Sequence, residues 1–88
     1  MLRIVRGREL IFGLAPDGDE PSVAMDRNSG DYWVLAPEAR AIVEAIQSRG
    51  ELHEAGLVEI MAADLSSDVV ARTIQSLCAA YILEERAR

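Results

Sequence analysis

The sequence predicts an α+β domain, a small antiparallel three-stranded sheet followed by three helices. Three observations predict it. Short apolar runs broken by Gly, Asn and Asp occupy the first third of the chain, as strands and turns do. From Pro37 onward the apolar residues recur at helical spacing, in three segments separated by breaks. At 88 residues, with half of them hydrophobic, the chain is one domain, residues 1–88, with a modest core.

Leu2 to Val5 reads as a first extended stretch, with Arg6-Gly7-Arg8 as a turn. Leu10 to Leu14 reads as a strand, and Pro16 to Pro21 as a loop. Ser22 to Asp26 and Tyr32 to Leu35 flank Arg27-Asn28-Ser29-Gly30-Asp31, which predicts a hairpin. Val23 and Met25 alternate on one face, as do Tyr32 and Val34, the period-2 pattern of a half-buried sheet. One of Tyr32 and Val34 is expected in the core.

Pro37 opens the first helix, where its missing N–H costs nothing, and Glu38 suits the helix dipole. Ala39, Ile42, Val43 and Ile46 form its apolar stripe, and Gly50 ends it. Leu52 to Ala63 is expected as a second helix with the stripe Leu57, Ile60 and Met61; Gly56 weakens it by roughly 1 kcal/mol relative to Ala. Ser66 or Ser67 caps a third helix from about Asp68 to Ala80, with Val70, Ile74, Leu77 and Cys78 inward. Tyr81-Ile82-Leu83 extends it or forms a short extended piece. Glu84 to Arg88 is charged and expected to fray.

Composition limits the function. The net charge is −6, and all nine basic residues are arginines. A sequence-independent nucleic-acid binder neutralises phosphates with Lys and Arg, so the balance argues against one and suits a partner with basic groups. The N-terminus lacks the apolar run of a signal peptide, and no segment is long and uncharged enough to cross a membrane. A single cysteine fits a reducing cytoplasm.

Catalytic and metal constellations are absent from the sequence. His53, the sole histidine, lies beside Glu51 and Glu54 without a further ligand set, so it reads as a solvated helix-start residue. Cys78 reads as a structural thiol. Asp17, Asp19 and Glu20 lack the spacing of a calcium loop and read as a solvated turn. No Gly-rich phosphate loop occurs. The expectation is a non-enzyme with no cofactor.

The stretch from Met25 to Pro37 is similar to the opening of PqqD-like domains, the precursor-peptide recognition elements of peptide-modification pathways. Asp26, Gly30, Tyr32, Trp33 and Leu35 match an aspartate, a Gly turn, an aromatic pair and a leucine before a helix. Ile42, Val43 and Ile46, then Val70, Ile74 and Leu77, match the apolar stripes that follow. The resemblance covers about Pro21 to Glu84. Ala36, Tyr81 and Val69 or Val70 depart from it, where Asn or Asp, Gly and an acidic residue are common.

The resemblance implies a winged helix-turn-helix-like fold without chemistry of its own. It would bind the leader of a ribosomally made precursor, as in lasso peptide or pyrroloquinoline quinone biosynthesis. The leader would add as a strand beside the third strand, against the third helix, and be presented to a leader protease and cyclase or a radical enzyme. Tyr32, Trp33, Val34 and Leu35 would be the edge; Arg72, Thr73, Ser76, Leu77 and Ala80 would be groove residues, with Arg72 placed to meet an acidic side chain. Two other readings compete. A winged-helix DNA-binding regulator shares the helical core, but the third helix carries only Arg72 as a positive charge. A plain dimerisation module would pair sheet edges.

Overall fold

A computed structural model describes residues 1–13 and 21–86. It is a small α+β domain with three helices and two three-stranded antiparallel sheets, not one. The expected loop through Pro16, the end of the second strand at Leu14 and the acids Asp17, Asp19 and Glu20 lie outside the described residues.

The first sheet has the order β5-β1-β6, with β1 (Leu2–Ile4) at its centre. On one side β5 (Glu51–Leu52) pairs Leu2 with Leu52; on the other, β6 (Leu83–Glu85) pairs Ile4 with Leu83. The predicted fraying is therefore corrected for Glu84 and Glu85; residues 87–88 lie outside the described residues. Leu83 is buried and Arg3 Nε donates to Glu84 Oε1 at 2.8 Å, so packing and an ion pair hold the strand down. Gly7, at φ +90°, makes the turn that leaves this sheet; Arg8 N–H donates to Val5 C=O across it.

The second sheet has the order β2-β3-β4, from β2 (Leu10–Phe12), β3 (Ser22–Asp26) and β4 (Tyr32–Leu35). The expected hairpin forms, closed by Gly30 at φ +81°. Its phase is the reverse of that expected from apolar alternation. Ser22, Ala24 and Asp26 face inward, while Val23 and Met25 are exposed, as are both Tyr32 and Val34. The inward polar pair is satisfied: Arg40 donates to Ser22 Oγ at 2.8 Å, and Asp26 accepts four hydrogen bonds. A buried polar group costs little once bonded.

Helix α1 (Pro37–Arg49) starts at its proline, buries Ala39, Ile42, Val43 and Ile46, and stops at Gly50, φ +86°. Helix α2 (Glu54–Met61) begins later than expected, because Glu51 and Leu52 are drawn into pairing with β1, and it ends at Met61, short of Ala63. It buries Leu57 and Met61; Ile60 is exposed, since eight residues bury only a narrow stripe. Helix α3 (Ser67–Ala79) is capped by Ser66, whose Oγ accepts from Val69 N–H at 3.3 Å.

The end of α3 is a Schellman motif. Ile82 N–H donates to Leu77 C=O and Tyr81 N–H to Cys78 C=O. The left-handed position is filled by Tyr81 at φ +60°, where glycine is usual, and its ring is 72% exposed. A side chain at this φ costs about 1–2 kcal/mol, and an exposed ring returns little of it. Tyr81→Gly gives back about 0.4–1 kcal/mol through the more flexible unfolded chain. The variant is expected to be more stable by about 0.5–1 kcal/mol, seen as a rise of a few degrees in Tm.

Candidate functional site

An open groove of about 570 Å³ runs between β4 and α3. One wall is Trp33, Val34, Leu35 and Ala36, continuing into Glu38 and Ala39 of α1. The other is Val69, Arg72, Thr73, Ser76, Leu77 and Ala80 of α3, with Ile82 beyond its end. Eight of the nine residues expected at a binding site line this space; Tyr32 does not, its ring standing on the outer face of the sheet. Ala36, Glu38, Ala39, Val69 and Ile82 were not anticipated. From Val69 to Ala80 the helix rises about 16 Å at roughly 1.5 Å per residue. That length spans about five residues of extended chain.

The backbone of β4 decides what the groove can hold. Asp26 N–H donates to Asp31 C=O at 2.8 Å, and Ala24 lies opposite Trp33 and Ser22 opposite Leu35. Antiparallel pairing alternates, so Trp33 and Leu35 turn their N–H and C=O toward β3. Those of Tyr32 and Val34 point outward, and β4 is the last strand of its sheet. Among the described residues nothing pairs with this edge, which lies beside the groove. The opposite edge is treated differently. Gln47 Nε2 donates to Leu10 C=O at 3.1 Å, and Arg40 covers the Phe12 ring at 4.7 Å. Side chains blunt that edge, as proteins commonly do with exposed strands.

Trp33 is half-buried and held by Arg8, whose guanidinium lies 4.8 Å from the ring centroid. The same guanidinium donates to Asp26 Oδ2 at 2.9 Å and, through Nε, to Tyr81 C=O at 2.7 Å. Arg8 therefore ties one wall of the groove to the end of the other. Thr73 spends its hydroxyl proton on Val69 C=O at 2.7 Å. Leu77 and Ile82 are buried and form an apolar floor; Ile74 is buried without lining the groove.

Asp26 anchors this arrangement. The Glu9 N–H is the largest influence holding its carboxyl down, burial opposes it, and Asn28 N–H, Ser29 and Arg8 add to the lowering, bringing the pKa to about 2. The folded value lies below the ordinary 3.8. The stabilisation is therefore complete above about pH 4 and lost as the pH falls toward 2. Denaturant midpoints measured from pH 5 to pH 2 should fall over this window, and Asp26→Asn should flatten that part of the fall while lowering stability at neutral pH.

Other chemistry is sparse. Among the described residues, no three His, Cys, Asp or Glu side chains are placed to hold a metal ion. His53 stands at the exposed N-cap of α2. Cys78 is half-buried, and burial, helped by the Glu85 charge, pushes its thiol pKa up, away from the reactive thiolate. No helix among the described residues is long and apolar enough to cross a membrane. The groove offers backbone donors and acceptors, an apolar floor and two charged rim groups. No family model, curated protein or solved structure matches the chain.

Proposed function

We propose that this domain binds an extended peptide segment, which joins the second sheet as a strand beside β4 and lays alternate side chains into the groove against α3. The observation that carries the reading is the contrast between the two edges. On the β2 edge Gln47 takes up the Leu10 carbonyl, while among the described residues nothing pairs with the β4 edge, which lies beside an apolar groove. Backbone pairing gives such a site generic affinity and the groove gives it selectivity.

The resemblance to PqqD-like domains narrows the ligand to the leader of a ribosomally made precursor, in a winged helix-turn-helix-like frame. The domain then delivers that leader to a modifying enzyme or leader protease in the cytoplasm and performs no chemistry itself. A DNA-reading role is less well supported: α3 carries one arginine, and Glu38 faces the same groove.

Fluorescence anisotropy with labelled leader peptides from short reading frames flanking the gene tests the proposal. Wild type is expected to bind in the nanomolar to micromolar range. Thr73→Arg, which fills the groove with a long side chain, should weaken binding by about tenfold or more while Tm moves by a few degrees at most. A folded protein that binds none of these peptides would sink the leader assignment.

A further inference from the structure

Two of the residues lining the groove are charged, and they carry opposite signs: Glu38 at the start of α1 and Arg72 in α3. Neither belongs to an ion pair among the described residues. Glu38 is a partly buried residue, and no hydrogen bond of its carboxylate is seen among the described residues. Arg72 makes one long contact, Nε to Asp68 C=O at 3.5 Å in its own helix. Elsewhere Arg3 pairs with Glu84, Arg8 with Asp26 and Arg27 with Glu9, while Arg6 and Arg49, like Arg72, form no ion pair among the described residues. A glutamate in a first helical turn is favourable by itself. What the first turn does not account for is the placement: Glu38 and the exposed Arg72 line one groove from different helices.

We infer that the groove selects a segment carrying one basic and one acidic side chain, the basic one meeting Glu38 and the acidic one Arg72. The inference rests on the strand-addition reading and adds the chemistry of the occupant. Generic backbone pairing at the β4 edge accepts a strand of any sequence. Two opposite charges at the groove supply what the backbone lacks. A strand with its charges in the right order satisfies both groups; one with the reverse order brings like charges together twice. Such repulsion is an effective source of specificity. The net charge of −6 further favours approach by a partner with a basic group.

The test uses the whole chain and a phage-displayed library of random peptides, about twelve residues each, long enough to overrun the groove. Wild type and the charge-swapped variant Glu38→Lys/Arg72→Glu are panned in parallel. The best wild-type peptide and its charge-reversed counterpart are then synthesised and titrated by anisotropy. Wild type should enrich peptides with one basic and one acidic residue at constant spacing, and bind the reversed peptide about tenfold more weakly. The swapped protein should prefer the reversed peptide. Should the swapped protein fail to fold, Glu38→Gln and Arg72→Gln, each expected to reduce the preference, replace it. Enrichment of peptides without a charge pattern, or equal binding of both peptides to both proteins, overturns the inference and leaves strand addition standing. Enrichment of no peptide by folded wild type removes strand addition itself and the charge reading with it.

Discussion

Replacing Val34 by proline is expected to weaken peptide binding by about 100-fold while the domain stays folded. The Val34 N–H points away from β3 and has no partner within the sheet. Proline at an edge position facing outward is tolerated by a sheet, and Trp33 before it is already extended. The stability change should stay within about 1 kcal/mol. The incoming strand fares worse. It loses one donor, its own carbonyl is left unsatisfied, and the proline ring occupies the space where that carbonyl would sit. An orphaned buried acceptor costs about 1–3 kcal/mol, and the clash adds to it, so affinity should fall by about 100-fold. Val34→Ala keeps the N–H and alters only an exposed side chain; its effect should be a few-fold at most. A proline variant that binds like wild type would show that the edge is not used.

The largest expected loss of stability comes from Leu83→Ala. Leu83 is 2% exposed and pairs with Ile4 at the end of the chain. Truncating a buried leucine costs about 2–5 kcal/mol, the lost transfer energy plus the cavity. A small domain has only about 5–15 kcal/mol in total, so Tm should drop by about 10 °C or more. Two residues further on, Glu85→Ala removes a largely exposed side chain and should cost about 0.5 kcal/mol or less. Urea denaturation of both variants checks the pair. A Leu83→Ala variant within about 1 kcal/mol of wild type would contradict the docking of β6. Because Ile82 beside it floors the groove, a strand that comes loose here should also weaken the peptide site.

The parts of the fold that were legible in the sequence are those fixed by local chemistry. Pro37, Gly50, Ser66 and Gly30 each mark an end or a turn through their own backbone preferences, and all four stand where those preferences place them. What escaped depends on distant partners. Glu51-Leu52 and Leu83-Glu84-Glu85 are too short to read as strands; they become strands because Leu2 and Arg3 lie between them. The phase of β3 escaped for another reason. Val23 and Met25 are the more apolar pair, but Arg8 and Arg40 satisfy Asp26 and Ser22 from outside the strand and let that face turn inward.

The groove was legible to a similar degree. Trp33, Val34, Leu35 and the α3 residues could be named because the resemblance to PqqD-like domains implies a groove between the third strand and the third helix. Glu38 could not, because a first-turn glutamate already has a local role. Tyr32, named as part of the edge, does not line the groove. Its contribution to the edge is its backbone, which no side-chain pattern reveals.

Hydrogen exchange at two amides tests the central claim most directly. In the free protein the N–H groups of Tyr32 and Val34 face solvent and should exchange quickly, while those of Trp33 and Leu35, bonded to β3, exchange slowly. On adding a peptide that binds, the Tyr32 and Val34 amides should become protected, because the new strand accepts from them. A peptide that binds and leaves both amides exchanging as fast as before would show that it does not join the sheet at β4.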